Sequence, residues 1–193
     1  VAYGTLLLRR GLLRESEAHF RTAIATATRH NANPYDSEAY YQLGVSLKLQ
    51  GRLDEAFSAF YKAIWSAAWQ DSGYFALAQI ACEQKAYGEA LELVERSLTR
   101  NARNYKARNL QAALLRKLGR VEEAMRIAGE TIRLDIADFA AYNERFLLHL
   151  SRGEDEQAAA VRSELHRLMR NDVHNYIALA TDYSHCGLYE EAR

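Results

Sequence analysis

The sequence predicts an all-α solenoid in which short helical hairpins stack one after another along the chain. The first observation is a period of 34 residues, kept without a gap by five alanines: Ala56, Ala90, Ala124, Ala158 and Ala192. The second is the position five residues before each alanine, which holds Gly51, Lys85, Gly119, Gly153 and Gly187. The third is apolar spacing at i, i+3, i+4 and i+7, which is typical of amphipathic helices. A fixed period of this length indicates stacked helix pairs.

The apolar spacing predicts nine full helices separated by short turns. They cover residues 37–50, 53–69, 71–84, 87–100, 105–118, 121–134, 139–151, 155–170 and 173–186, with partial helices before and after. Stretches such as "LQGRLDEA" and "LGRVEEA" are predicted turns, because glycine permits a left-handed helix end and acidic residues favour the start of the next helix. One pair alone leaves a large apolar face uncovered, so each pair needs neighbours.

The fullest copy of the period is "SEAYYQLGVSLKLQGRLDEAFSAFYKAIW", which resembles a tetratricopeptide repeat (TPR). That family has the pattern W-x2-L-G-x2-Y followed by A-x3-F. Tyr40 stands at the tryptophan position, Leu43 and Gly44 at the Leu-Gly position, and Ala56 and Phe60 at the small and aromatic positions. The resemblance covers essentially the whole chain. It implies a right-handed superhelix of about five helix-turn-helix repeats.

We expect residues 1–193 to form one array. Its parts are a partial repeat 1–30, an insert 31–36, repeats 37–70, 71–104, 105–138 and 139–172, and a partial repeat 173–193. The sequence enters and leaves this pattern inside a repeat, whereas natural solenoids end in polar caps. The expectation is therefore an excised part of a longer protein.

Composition and motifs favour no enzyme class. Twenty-five basic and 25 acidic residues give zero formal charge, which argues against a nucleic-acid partner. No apolar run reaches the roughly 18–20 residues that span a bilayer, so no membrane partner is expected. Six histidines show no metal-binding spacing, and no glycine-rich phosphate loop is present. We expect no catalysis, cofactor or metal site. Two separate cysteines suggest a reducing compartment, and hence a cytoplasmic location.

The TPR resemblance implies a concave groove lined by the first helix of each repeat. The candidate groove residues are Tyr41, Val45, Lys48, Phe75, Gln79, Asn109, Arg116 and Lys117. The family's carboxylate clamp for chaperone C-termini uses lysine and asparagine at two of these positions. Tyr41 and Val45 occupy them in one copy, and Phe75 and Gln79 in the next. This departure argues against a chaperone-tail clamp and favours a mixed aromatic and polar peptide or a neighbouring domain.

The run 96–120 carries eight lysines and arginines and no acid, with Arg116 and Lys117 expected to reach the groove. One interpretation is a patch for an anion or an acidic peptide. The other is that these cations complement helix dipoles and pair with acids on neighbouring turns, such as Glu89, Glu92 and Glu122. Few aromatic residues accompany the run, which disfavours single-stranded nucleic acid.

The stretch "KAIWSAAWQDSGY" contains both tryptophans of the chain, at a boundary between repeats. Alanines replace the family's proline there, so we expect the helix to run on through Trp69, with Trp65 one turn earlier on the same face. One interpretation is an aromatic joint, in which both rings pack with Tyr74 and the following pair. The other is an exposed stacking platform for a sugar or a partner's aromatic ring.

A narrower resemblance rests on "NPYDSE-x-YYQLG" followed by "YKAIW-x3-W-x3-GY". It is similar to the TPR region of large bacterial proteins in which a β-rich, carbohydrate-enzyme-like domain precedes the repeats. The predicted function is a non-catalytic scaffold that docks a peptide, a partner protein or a neighbouring domain of the same chain. The alternative is a helical accessory domain of a bacterial carbohydrate-active enzyme. A homo-oligomer through uncapped ends is a further possibility.

Overall fold

The structure is a computed structural model that describes residues 1–192, and its regular secondary structure in that range is helical. The helices are α1 (Ala2–Arg9), α2 (Leu13–Ala27), α3 (Glu38–Leu49), α4 (Leu53–Ala63), α5 (Gln70–Glu83), α6 (Tyr87–Arg100), α7 (Tyr105–Lys117), α8 (Val121–Leu134), α9 (Phe139–Ser151), α10 (Asp155–Met169) and α11 (Val173–Ser184). A short 3-10 helix, Ala67–Trp69, precedes α5. The predicted all-α class is confirmed.

The chain divides into two compact units, Val1–Leu77 and the part from Ala78 onward. In the first unit, α1 packs on α2, α2 on α3, and α3 on α4. In the second unit the same sequential pattern runs from α6 to α10, and α7 also contacts α9 directly. These two first helices therefore lie side by side, as the repeat pattern predicts.

Left-handed residues end the first helices, as the 34-residue glycine spacing predicts. Gly51 has φ +76° and Gly119 has φ +73°. In the copy that lacks the glycine, Lys85 adopts the same conformation, with φ 62°. Lys85 therefore adopts the left-handed turn of the repeat although its Cβ makes this conformation unfavourable.

The two helices of a repeat approach closely where glycine faces phenylalanine. A Cβ on Gly4 would lie 2.7 Å from Cε1 of Phe20, and a Cβ on Gly44 would lie 2.7 Å from Cδ1 and Cε1 of Phe60. Both phenylalanines are essentially fully buried. The partial first repeat therefore uses the same contact as the complete second one.

The pair α9/α10 reverses this arrangement. Phe146 occupies the position of Gly44, and Arg162 occupies the position of Phe60. The Arg162 guanidinium lies 6.0 Å from the centroid of the Phe146 ring. The bulky group thus comes from the first helix here, and its partner is a flexible cation.

The predicted extension of the helix 53–69 is wrong. α4 ends at Ala63, and Ser66 has extended backbone, with φ −91° and ψ 129°. The Gln70 side chain donates to the carbonyl of Ile64 at 3.1 Å, which satisfies a carbonyl at the helix end. Gly73 also leaves room for Ile64, since a Cβ on Gly73 would lie 2.5 Å from Cγ2 of Ile64. The missing proline is therefore not sufficient to continue the helix.

Candidate functional site

The centre of the candidate site is an ion pair between neighbouring first helices. Nε of Arg116, on α7, donates to Oε2 of Glu144, on α9, at 2.8 Å, and Nη2 donates to Oε1 at 3.3 Å. Glu144 has no exposed surface. Burial disfavours the charged guanidinium, but the charge of Glu144 outweighs it, so the pKa of Arg116 is raised. A buried carboxylate requires such a partner.

The last described helix contacts the same ion pair. The Tyr183 hydroxyl, on α11, donates to Oε1 of Glu144 at 2.7 Å, and Nδ2 of Asn143 donates to the Tyr183 hydroxyl at 3.0 Å. Burial raises the pKa of Tyr183, and the nearby charge of Glu144 raises it further. The phenol therefore stays protonated and serves as a donor.

A second carboxylate lies between two cations at the end of α7. Oε1 of Glu191 lies 3.1 Å from Nη2 of Arg116 and 2.6 Å from Nζ of Lys117. Burial would raise the pKa of Glu191, but the hydrogen bonds from Lys117 and Arg116 prevail and lower it. Its other oxygen, Oε2, is buried without a hydrogen-bond partner. One oxygen thus carries both ionic contacts.

Glu191 belongs to a stretch that we call the 186–192 segment. Nε2 of Gln79, on α5, lies 3.8 Å from Sγ of Cys186, and Leu188 is only 3% exposed. A Cβ on Gly187 would lie 2.7 Å from Cα of Glu83. The segment contacts Gln79, Glu83, Arg116 and Lys117, and Glu144 lies behind Arg116; we call these five residues the α5/α7/α9 surface.

Asn109, on α7, makes no described bond to this segment and instead pairs with α9. Its Nδ2 donates to both carboxylate oxygens of Asp138, at 2.8 and 3.1 Å. Asp138 also caps the N-terminus of α9 by accepting from the amide of Ala141. Burial raises the pKa of Asp138, although these hydrogen bonds oppose the rise. Asn109 therefore holds the start of α9 in place.

In the first unit, Tyr41 forms an aromatic contact that the sequence did not predict. Its ring stacks on Trp69 with 4.8 Å between centroids, and tilts against Phe60 at 5.5 Å. Nε1 of Trp69 donates to Asp36 at 3.2 Å. Burial raises the pKa of Tyr41, with a further rise from the charge of Asp71. Trp69 therefore packs across two helices, as a joint requires, and its partner is Tyr41.

The remaining first-unit candidates, Val45, Lys48 and Phe75, are half-buried, as is Tyr74. They stay predictions as ligand residues.

Trp65 differs from Trp69 in exposure. Its side chain is 52% exposed, and Nζ of Lys62 lies 3.8 Å from its ring centroid. The ring borders a surface pocket of about 410 Å³ that also includes Pro34 and Tyr35 of the 31–36 insert. The two tryptophans therefore do not act as one aromatic unit.

The acidic partners of the site were missed by the sequence analysis. The expected partners of the basic run were Glu89, Glu92 and Glu122, whereas Arg116 and Lys117 pair with Glu144 and Glu191. One signal was available for Glu144: its repeat position holds glutamine, alanine or leucine in the other copies. An acid at such an inward position predicts a buried cation nearby.

Within residues 1–192, no group of three or more histidine, cysteine, aspartate or glutamate side chains is arranged to hold a metal ion. None of the helices in that range is long and apolar enough to cross a membrane.

The chain is similar to a known protein family and to several solved structures. A family model described as "Tetratricopeptide repeat" matches residues 2–72 and 75–141. Among solved structures, a tetratricopeptide repeat protein from Parabacteroides merdae is 19% identical with a TM-score of 0.76, covering 100% of this chain and 74% of that chain. MamA from Desulfovibrio magneticus RS-1 is also 19% identical at 0.76, covering 89% of this chain and 93% of that one.

A third structure is YrrB, described as "a TPR protein with an unusual peptide-binding site". It is 17% identical with a TM-score of 0.64, and the match covers 90% of this chain and 86% of that one. At these identities the similarity establishes the fold alone. The narrower resemblance to proteins with a β-rich preceding domain stays a prediction.

Proposed function

The chain belongs to the tetratricopeptide repeat family, and on that premise we propose that it is a non-catalytic scaffold that binds an extended peptide through its first helices. The observation that supports this proposal most is the 186–192 segment. Side chains that the repeat pattern assigns to the ligand groove, namely Gln79, Arg116 and Lys117, all contact this one non-helical stretch. Cations that bind a carboxylate side chain of this stretch can bind the carboxylate of a peptide in the same way.

The proposal agrees with what is known of one relative, since YrrB is described as having a peptide-binding site. Fold likeness alone does not transfer a ligand. The support here comes from the contacts of Arg116 and Lys117. The partner class is a peptide, either from another protein or from a neighbouring domain of the same chain, and a cytoplasmic location is part of the proposal.

The carbohydrate-enzyme alternative is not proposed. The solved structures reported above lend it no support, and Lys62 already covers one face of Trp65 at 3.8 Å. A sugar would have to displace that cation before it could stack on this face.

The proposal is tested by selecting binders from a displayed random peptide library on the full chain. Affinities of the selected peptides are then measured by fluorescence anisotropy for variants on the two kinds of helix. Gln79→Ala and Lys117→Gln change first helices of the second unit, while Glu123→Gln and Arg126→Gln change exposed side chains of the second helix α8. We expect the first-helix variants to weaken binding by about tenfold or more and the second-helix variants to leave it nearly unchanged. No enrichment, or the reverse pattern, would refute the proposal.

A further inference from the structure

The surface pocket beside Trp65 is formed where two irregular stretches of the first unit meet. One wall comes from the 31–36 insert, through Pro34 and Tyr35, and the other from the chain after α4, through Trp65 and Ser66. Its volume of about 410 Å³ lies within the roughly 300–1,000 Å³ of small-molecule sites. The pocket is therefore large enough for a small ligand or for the end of a peptide.

We propose that this pocket binds a carboxylate that is carried next to an aromatic ring. Lys62 binds the carboxylate, and the rings of Trp65 and Tyr35 bind the aromatic group. Two sources share this chemistry, namely a free aromatic acid and the C-terminal aromatic residue of a peptide. The site goes beyond the proposed scaffold function, because none of the candidate groove residues lines this pocket.

The charge of the pocket favours an anion. Among the described residues, Lys62 is the one charged side chain that lines it, and no acid within residues 1–192 pairs with Lys62. Its ammonium lies 3.8 Å from the Trp65 ring centroid, a contact that supplies no oxygen to accept its three N–H donors. A carboxylate supplies strong acceptors. It also matches a single ammonium better than a phosphate, which carries up to about two charges.

The indole of Trp65 is a second donor at the same pocket. Its Nε1 has no described hydrogen-bond partner within residues 1–192, whereas Nε1 of Trp69 donates to Asp36 at 3.2 Å. Trp65 and Lys62 both line the pocket. A carboxylate has two oxygens and can accept from both side chains. The pocket thus offers one charged and one neutral donor to the same ligand group.

The aromatic rings of the pocket favour a flat apolar group beside the carboxylate. Tyr35 is 96% exposed and Trp65 is 52% exposed, so neither ring is committed to the core. The later repeats hold Thr99, Arg133 and Arg167 at the position of Trp65, and they have no counterpart of the insert that carries Tyr35. The repeat fold therefore does not require these two rings. A ligand ring that packs against them buries apolar surface and forms an aromatic pair.

The test is isothermal titration calorimetry of the full chain with 3-phenylpropionate and with two probes that each lack one group. 3-Phenylpropionamide keeps the ring without the charge, and butyrate keeps the charge without the ring. We expect both to bind at least about tenfold more weakly than 3-phenylpropionate. The peptide N-acetyl-Gly-Gly-Phe with a free C-terminus distinguishes the two sources. Tighter binding than 3-phenylpropionate assigns a peptide end, and binding that is no tighter assigns a free acid.

Variants place the ligand at the pocket. Lys62→Gln and Trp65→Ala should each weaken the binding of 3-phenylpropionate by about fivefold or more. Tyr61→Ala is the matched control, because Tyr61 is also 52% exposed and does not line the pocket. Lys106→Gln removes a positive charge from the second unit and should also leave the affinity unchanged. In a Trp69→Phe background, the fluorescence of Trp65 alone should change on binding.

Several outcomes would overturn the inference. Equal affinity for 3-phenylpropionate and its amide, or an unchanged affinity in Lys62→Gln, would remove the carboxylate from the assignment. Equal losses in Tyr61→Ala and Trp65→Ala would place the ligand elsewhere on the surface. Adenosine monophosphate that bound more tightly than 3-phenylpropionate would assign a phosphate ligand, and no binding of any probe would leave the pocket without this function. Library peptides that depend on Lys117 would still support the scaffold, so the two proposals can fail separately.

Discussion

Arg116 and Glu144 form a doubly hydrogen-bonded ion pair between α7 and α9 in which the carboxylate has no exposed surface. The pair joins two first helices that are neighbours in space, although 28 residues separate them in sequence. It also supplies the acceptor for Tyr183 of α11. Three consecutive first helices of the second unit therefore converge on one charge.

Breaking this ion pair from one side should destabilise the protein strongly. Glu144→Gln removes the negative charge and leaves the Arg116 guanidinium largely buried, which should cost about 3 kcal/mol in the free energy of unfolding. The double variant Arg116→Met/Glu144→Leu removes both charges and should recover most of that loss. Urea denaturation followed by circular dichroism measures both. A double variant no better than Glu144→Gln would show that apolar packing cannot replace the pair.

The contact of Glu191 should weaken in acid. Its pKa is lowered in the folded chain, so its contribution to stability is fully present above the ordinary carboxyl pKa and is lost as the pH falls through the lowered value. The difference in unfolding free energy between wild type and Glu191→Gln should be constant from about pH 7 to about pH 5 and shrink below about pH 4. A difference that persists at about pH 3 would contradict this assignment.

Enlarging Gly44 should strain the hairpin α3/α4. Gly44→Ala places a methyl group 2.7 Å from the Phe60 ring, and such overpacking should cost about 2 kcal/mol. Gly88→Ala is the matched control, because nothing lies within 4 Å of its added Cβ and alanine favours a helix. Its melting temperature should stay the same or rise. The double variant Gly44→Ala/Phe60→Leu should lose less stability than the sum of the losses in the two single variants.

Lys85→Gly should stabilise the protein. Lys85 adopts a left-handed conformation that costs a side-chain-bearing residue roughly 1–2 kcal/mol, partly offset by the greater freedom of glycine in the unfolded chain. The expected net gain is about 0.5–1 kcal/mol, measured by thermal or urea unfolding. Gly51→Lys should show the opposite change, although its added Cβ meets no neighbour within 4 Å. A loss of stability in Lys85→Gly would show that the lysine side chain contributes more than its backbone costs.

The two tryptophans should respond differently to truncation. Trp69→Ala removes the stack on Tyr41 and the hydrogen bond to Asp36, and should cost about 2 kcal/mol of stability. Trp65→Ala removes a half-exposed ring that contacts the Lys62 ammonium, and should cost well under 1 kcal/mol. Equal losses would mean that both rings belong to the joint.

The repeat period allowed the turns to be predicted, including the position where glycine is missing. It placed Lys85 in the glycine series by spacing alone, and the backbone there is left-handed. The helix end at Ala63 was not predictable in the same way, because Ala67 and Ala68 favour helix locally. The stacking of Trp69 on Tyr41 accompanies the break, and that contact links residues 28 positions apart.

The sequence indicated the basic residues of the candidate site but not their acidic partners. Arg116 and Lys117 were expected on the groove because the repeat register orients them. Their partner Glu191 lies 75 residues from Arg116 in sequence, and no periodic pattern predicts a pairing at that separation. In the earlier repeats the position of Glu191 lies in the first turn of a second helix. The repeat register therefore predicted a helix-start role for Glu191, and not a contact with Arg116.

The reversed pair Phe146 and Arg162 has a consequence for recombination between repeats. In α3/α4 the second helix supplies the large ring and the first helix supplies the space, whereas α9/α10 does the opposite. A chimera that joined α9 to α4 would bring two phenylalanine rings to one position, and one that joined α3 to α10 would bring none. Crossovers between these hairpins should therefore be tolerated better than crossovers inside them, because each hairpin keeps its own matched pair of helices.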